Sequence, residues 1–243
     1  MKLSIITVNY NNKAGLQKTI DSVVCQTWRD FEWIVIDGGS TDGSKELIEQ
    51  YQQHFAYWCS EPDKGVYNAM NKGISKAKGE YLNFMNSGDC FYNEYSLSYF
   101  HEVYNPSIDV FYADADFIDE KGSLVYEMRL PDKISANFYI SGKNISHQSS
   151  FIKSSLLHIH PYNEKYELAA DGDLFFWLLL RKYKFSHINK VLVRSDIPGL
   201  SANVKLAREE VMCFKRENLS ILPFRYKLLN SYFFKRIRTC FIG

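Results

Sequence analysis

Gly79-Glu80-Tyr81-Leu82-Asn83-Phe84-Met85-Asn86-Ser87-Gly88-Asp89 is an apolar run that stops abruptly at small and acidic residues. Read as a strand buried in a parallel sheet, it delivers Asn86, Ser87, Gly88 and Asp89 to the carboxyl edge of that sheet, where open α/β folds bind their ligands. Glycine beside the carboxylate lets a bulky anionic ligand approach the backbone. One carboxylate at a strand tip holds a divalent ion only when water or phosphate oxygens complete the ligand set, and Asp89 is placed for that task. An ordinary strand and polar turn would read the same way, so the neighbouring segments decide.

Working outward toward the amino terminus, the same pattern repeats. Leu3 to Val8 is a short buried strand with a loop from Asn9 to Gly15, and Leu16, Ile20, Val23 and Val24 then recur at helical spacing. Phe31 to Ile36 is a second strand, ending in Asp37-Gly38-Gly39-Ser40-Thr41-Asp42-Gly43-Ser44, and Leu47, Ile48 and Tyr51 mark the helix after it. Ala56 to Cys59 is a third strand, closed by Ser60-Glu61-Pro62-Asp63-Lys64-Gly65. Tyr67, Met70, Ile74 and Ala77 carry a helix that Gly79 closes. Strands alternating with helices predict a doubly wound, mostly parallel α/β sheet, because parallel neighbours need helical crossovers. The polar clusters after the strands then converge on one edge. No G-x-G-x-x-G follows the first strand and no G-x-x-x-x-G-K-[ST] occurs, so neither a dinucleotide fingerprint nor a P-loop accounts for the sheet. A nucleotide held by carboxylates and a metal remains.

Toward the carboxyl terminus the alternation weakens. Val110 to Ala113 reads as a strand, Asp116 to Tyr126 as a small antiparallel hairpin turning at Lys121-Gly122, and Ile145 to Ile152 as a strand lining a cleft, with His147 in its wall. Asp171 and Asp173 precede the strongly apolar helix Leu174 to Leu180, whose amino end would favour their charge. Ile188 to Val193 is a further strand and Ile197 to Ser201 a loop.

The composition bounds the class. With 243 residues, 46% of them hydrophobic, the chain can build a full core, and a net charge of +1 gives no reason to expect a nucleic-acid partner. The five cysteines are scattered with no C-x-x-C pair, which argues against a zinc site or a disulfide framework and fits a reducing, cytoplasmic setting. The first apolar run is too short for a signal sequence, and no segment has the length of apolar residues that a membrane span needs.

The ordered series Ser4–Asn11, Asp21–Thr27, Phe31–Gly43, Ser60–Gly73 and Gly79–Asp89 resembles the inverting family 2 glycosyltransferases of the GT-A fold, particularly those assembling bacterial surface polysaccharides. Beyond residue 90 the likeness rests on His147-Gln148, Ala170–Leu174 and Gly199–Ser201. The resemblance implies a nucleotide-binding half at 1–90, an acceptor-binding half at 91–203, and a helical tail at 204–243. It implies that Val8, Asn9 and Tyr10 wall a nucleoside pocket, that Asp37 accepts the uracil N–H, and that Asp63, Gly65, Ser87 and Gly88 lie near the base and diphosphate. A carboxylate suits the nucleobase because it is acceptor-only when ionised. The family's Asp-x-Asp-Asp is here Asn86-Ser87-Gly88-Asp89, so the resemblance implies that Asp89 alone would carry Mg2+ or Mn2+ together with the diphosphate of a UDP-linked donor, with weak metal affinity in its absence. Asp171 matches the position of the general base that takes the proton of the acceptor hydroxyl. Asp173 is its rival, and the sequence leaves the two open.

The implied activity is transfer of a sugar from a nucleotide-diphospho donor to a hydroxyl of a glycan or lipid-linked glycan. A sugar-phosphate nucleotidyltransferase would want a glycine-rich basic loop after the first strand, where Lys13 stands alone. A non-catalytic sugar-nucleotide sensor is the reading in which the weakened acidic motif has lost its metal. From Asn218 onward the chain carries Arg225, Lys227, Lys235, Arg236 and Arg238 among aromatic and aliphatic residues and no Asp or Glu, a mixture suited to a helix on the anionic inner face of a membrane or to one packed on the domain.

Overall fold

The computed structural model describes residues 2–119, 121–196 and 204–220. The first half runs β1 (Leu3–Asn9), α1 (Lys13–Val24), β2 (Phe31–Asp37), α2 (Ser44–Tyr51), β3 (Tyr57–Ser60), α3 (Val66–Lys76) and β4 (Tyr81–Phe84). The second half runs β5 (Cys90–Phe91), α4 (Ser96–Val103), β6 (Val110–Ile118), β7 (Leu124–Met128), α5 (Ala136–Ile140), β8 (Ser150–Lys153), α6 (Ser154–Ile159), α7 (Ala170–Leu180), β9 (Phe185–Asp196) and α8 (Val204–Ser220).

Among the described residues nine strands form one sheet in the order β3-β2-β1-β4-β8-β6-β9-β5, with β7 paired to β6. β3, β2, β1 and β4 are parallel, as the alternation of strands and helices predicts. Beyond β4 the sheet is mixed: β8 runs antiparallel to both β4 and β6, β5 antiparallel to β9, and β6 parallel to β9. The hairpin is present as β6 and β7, although β6 is one long strand where the sequence suggested two pieces.

The continuous apolar runs follow from burial of both sheet faces. Along β1, Leu3 and Ile5 face α1, α2 and α4, whereas Ile6 and Val8 face α3 and α7, so each face has its own core. α1 begins where the Asn12 side chain accepts a hydrogen bond from the Gly15 N–H at 3.1 Å, relieving one of the unpaired donors of its first turn. Among the described residues no helix is long and apolar enough to cross a membrane.

Two expectations about the chain path are corrected. Ile145 to Ile152 is not a strand throughout: the ladder starts at Ser150, because the Ser149 and Ser150 hydroxyls donate to the Ser146 carbonyl and fold 145–149 into a turn. Gly79 does not cap α3, which ends at Lys76 with Ala77 already extended. Its small size serves a close approach to β1: a Cβ there would sit 2.4 Å from the Ser4 nitrogen and 2.6 Å from the Leu3 carbonyl carbon. The Gly79 N–H donates to Ser4 Oγ at 2.8 Å, and the buried Glu32 carboxylate accepts from Ser4 Oγ beside it. The Ile197–Ser201 loop and the chain after residue 220 lie outside the described residues.

Since backbone atoms cannot yield as a flexible side chain can, Gly79→Ala is expected to lower the unfolding free energy by roughly 2–4 kcal/mol. Urea denaturation measures this, and a midpoint equal to that of the wild type would contradict the close approach.

Candidate functional site

The parallel register sets the first part of the site. Asn9, Asp37 and Ser60 are direct cross-strand partners at the ends of β1, β2 and β3. Asp37 is fully buried, and both of its oxygens are filled. Oδ1 accepts from Asn9 Nδ2 at 2.7 Å and Ser40 Oγ at 2.5 Å, while Oδ2 accepts from the Ser40 N–H at 2.9 Å and Ser60 Oγ at 2.6 Å. Burial alone would raise the Asp37 carboxyl, but the hydrogen bonds from Ser40, Ser60 and Asn9 together hold it below the usual carboxylate value. The carboxylate expected to receive a nucleobase N–H is therefore saturated by the protein, and would take a further donor only in exchange for a serine hydroxyl.

Val8 stands one position before Asn9 on β1. Its side chain packs in the core beside Ile6 and Ile36, and only its carbonyl reaches the site edge, accepting the Ser87 N–H at 3.0 Å. Tyr10 is 66% exposed. Its ring and the Asp63 carboxylate converge over Gly38, where a Cβ would lie 2.7 Å from Asp63 Oδ2 and 3.1 Å from Tyr10 Cδ2. Asp63 Oδ1 accepts the Gly65 N–H at 2.8 Å, and Gly65 has φ 113°, a backbone that favours glycine, as it enters α3.

The second part is the turn Asn86–Asp89, closed by a hydrogen bond from the Asp89 N–H to the Asn86 carbonyl. Thr19 on α1 pins it from below. Its hydroxyl lies 2.7 Å from the Asp89 carbonyl and accepts the Gly88 N–H at 3.1 Å. Asn12 donates to the Ser87 carbonyl at 3.1 Å while Asn11 accepts the Thr41 N–H at 2.8 Å, so the loop after β1 joins this turn to the Asp37 edge. Gly88 has φ 104°.

A cleft of about 1010 Å³ opens over this turn. Ser87, Gly88, Asp89 and Asp171 all line it, together with Lys18, His147, Gln148 and Lys215. Val8, Asn9, Tyr10, Asp37, Asp63 and Gly65 are not in its lining; they occupy the adjoining stretch of the same sheet edge. Phe117, Tyr126, Met128, Tyr139, Val211 and Phe214 add apolar surface to its lining. Burial lowers the Lys215 amine to about 8.

Asp89 and Asp171 are tied together by two consecutive residues. Gln148 Nε2 donates to Asp89 Oδ2 at 2.9 Å, and His147 Nδ1 lies 3.3 Å from Asp171 Oδ2. Tyr67 on α3 donates to Asp171 Oδ1 at 3.3 Å, and burial, with the Asp171 charge second, pushes its phenol well up, so it stays a donor. Burial also raises the Asp89 carboxyl, against the Gln148 hydrogen bond. A buried carboxylate held in this way gains from a nearby cation.

The two candidate bases part here. Asp171 lines the cleft, whereas Asp173 is 5% exposed and turned into the α7–α8 contact, where Asn218 Nδ2 donates to it at 2.7 Å. Burial raises its carboxyl. α7 has no side-chain cap of its own. Instead Glu210 of α8 accepts the N–H groups of Glu167, Leu168 and Ala169 at 2.7, 2.9 and 2.9 Å, placing a negative charge at the amino end of the helix that carries Asp171.

The residues present suit a divalent cation of the diphosphate-bridged kind. Among the described residues no three His, Cys, Asp or Glu side chains form a cage, so Asp89 would supply the protein carboxylate and diphosphate oxygens the remainder. The buried Asn86 Oδ1 beside it has no hydrogen-bond partner, and Asp196 Oδ2 comes within 3.8 Å of the space over Gly88 while pairing with Lys18 at 2.8 Å. Thr19, Lys18, Tyr67, Asp196 and Glu210 carry no sequence signal as site residues. Gln148 could be found only through its place beside His147.

A mostly parallel sheet whose ligand edge holds this acidic turn, facing a carboxylate at a helix start, is a GT-A glycosyltransferase fold. The chain belongs to glycosyl transferase family 2, which matches residues 4–183. It is 37% identical over 174 residues to an uncharacterized glycosyltransferase of Mycobacterium tuberculosis H37Rv, and 31% identical over 177 residues to a PGL/p-HBAD biosynthesis glycosyltransferase of the same strain. Each alignment covers 70% of this chain and 66% of the relative, so the chain spans just under two thirds of those proteins. Among solved structures, S. aureus TarS residues 1–349 with UDP-GlcNAc superposes with a TM-score of 0.71 at 17% identity, covering 92% of this chain and 68% of that one. The mannosyltransferase PcManGT of Pyrobaculum calidifontis, with GDP-Man and Mn2+, superposes with a TM-score of 0.63 at 13% identity, covering 95% and 79%.

A carboxyl held below its unfolded value adds stability that is fully present above that value, about 3.9, and is lost as pH falls through the folded one. Asp37→Asn is therefore expected to cost roughly 1–3 kcal/mol near pH 6, with the gap to the wild type narrowing below about pH 4. Urea unfolding across this range checks it; a gap independent of pH would contradict the ionised, saturated carboxylate.

Proposed function

We propose that this protein is an inverting glycosyltransferase that moves a sugar from a nucleoside-diphospho donor to a hydroxyl of a glycan or lipid-linked glycan in surface polysaccharide synthesis. The observation that carries the reading is that one cleft holds both Asp89 and Asp171, bridged by His147 and Gln148. Family membership and the PGL/p-HBAD relatives support the activity and the class of product. The TarS and PcManGT complexes support a nucleotide-sugar donor and Mn2+ or Mg2+.

In this reading Asp171 removes the proton of the acceptor hydroxyl as it attacks, in a single displacement with inversion. Tyr67 and His147 hold its two oxygens so that a lone pair faces the incoming hydroxyl. Asp89 would hold the cation together with diphosphate oxygens, and the cation would supply stabilisation of charge on the leaving diphosphate. Gly88, lacking a side chain, leaves the space that the diphosphate needs. Tyr10 and Asp63, which both approach the space over Gly38, flank the nucleobase. A carboxylate there accepts from uracil or guanine N–H alike, so UDP- and GDP-sugars both suit it. Lys13 stands against Gly43 and is not in the cleft lining, which disfavours a nucleotidyltransferase.

With Mn2+ and a panel of UDP- and GDP-sugars, nucleoside diphosphate release is expected to stop with a chelator and to fall by roughly 10²–10⁴-fold in Asp171→Asn. Donor affinity measured calorimetrically should be kept in that variant. Release unaffected by Asp171→Asn would remove the base assignment, and donor binding without turnover across a panel of acceptors would favour the sensor. The basic, aromatic run after residue 220 supports docking on an anionic membrane surface. Removing residues after Ile221 is expected to abolish co-sedimentation with anionic liposomes; unchanged partition would dismiss the docking.

A further inference from the structure

The hydrogen bonds around His147 go beyond a wall residue. Its Nε2 lies 3.2 Å from Asn86 Nδ2. With the Asn86 amide nitrogen donating, Nε2 is the acceptor and the ring proton sits on Nδ1, where it donates to Asp171 Oδ2. Both contacts together call for the Nδ1–H tautomer. Asn86 is the first residue of the turn that ends in Asp89, and the next residue along from His147, Gln148, donates to Asp89 itself.

The dipeptide is itself fixed. Asn83 Nδ2 of β4 donates to the Gln148 carbonyl at 2.7 Å, Ser146 Oγ donates to Gln148 Oε1 at 2.5 Å, and the Ser146 carbonyl accepts from Ser150 Oγ at 2.7 Å. None of these bonds is local to α7, so the position of Asp171 is set from β4 and the turn before β8 as well as from its own helix.

We propose that His147 is a positioning residue for Asp171: it delivers Nδ1–H to one carboxylate oxygen and, through Nε2 and Asn86, locks that oxygen to the turn that presents Asp89. The consequence is that the acceptor-activating carboxylate and the diphosphate-facing turn keep a fixed spacing. This rests on the reading of Asp171 as the base, and the test separates the two.

The direct test is nitrogen-15 NMR of the histidine rings in the full chain without ligand, with the His147 signals assigned by their loss in His147→Ala. The expected result is the Nδ1–H tautomer in the wild type, lost or shifted toward Nε2–H in Asp171→Asn. An Nε2–H tautomer in the wild type, or one indifferent to Asp171→Asn, would overturn the proposal without touching the base assignment. In the donor-release assay, His147→Ala is expected to lower kcat about 10–100-fold with the donor KM unchanged. His147→Asn, whose amide nitrogen falls near the place of Nδ1, should recover most of the loss, whereas His147→Gln, which reaches toward Asn86 instead, should not. Wild-type kcat in His147→Ala, or equal loss in the Asn and Gln variants at equal thermal stability, would overturn it. Full turnover in Asp171→Asn would instead remove the underlying reading, whatever the tautomer.

Discussion

Parallel register is the constraint from which the site follows. Because β1 pairs with β2 and β4, and β2 with β3, in one direction, the residues that end these strands arrive at the same edge. Asn9, Asp37 and Ser60 stand level, and the Ser87 N–H reaches back to the Val8 carbonyl. A buried carboxylate in this position would be costly alone, and four donors make it tolerable. Its role is thereby architectural first: it sets the loop from Gly38 to Ser44 against the loop after β1, leaving Tyr10 and Asp63 as the groups turned outward.

The second half of the chain works differently. Its strands pair in both directions, and its helices α7 and α8 are joined by specific contacts across long sequence separations. Glu210 caps α7 in place of a local residue, Asn218 takes Asp173 out of the cleft, and Phe214 lies so close to Gly172 that a Cβ there would be 3.2 Å from its ring. α8 is therefore part of what orients Asp171, and its described residues close the core instead of standing off it. The 145–149 turn does the same from the other side. Together they hold one carboxylate in the cleft that the Asn86–Asp89 turn also lines.

The alternation of apolar runs and helical periods made the first ninety residues legible, since strands buried on both faces announce themselves and the polar residues after each must share an edge. That reasoning locates an edge, not the direction of each side chain. Val8 and Asn9 differ by one position, yet the period of two sends the first into the core and the second toward Asp37. Asp37 was legible as a site residue but not as a saturated one, because its donors Ser40 and Ser60 come from separate loops. The same limit kept Asp171 and Asp173 indistinguishable: two carboxylates in the first turn of one helix look alike until α8 is placed beside one of them. Glu210 and Thr19 act over tens of residues and leave no local pattern to read.

The central claim is that a cation held at Asp89 and the carboxylate of Asp171 serve a single diphosphate-bearing ligand. Anomalous diffraction from crystals grown with Mn2+ and either UDP or GDP tests it most directly. The account predicts a manganese peak in coordination contact with Asp89, bridged to diphosphate oxygens, with the open side of the ligand facing Asp171. Manganese bound away from Asp89, or a nucleotide whose diphosphate lies outside the cleft that Asp171 lines, would contradict it.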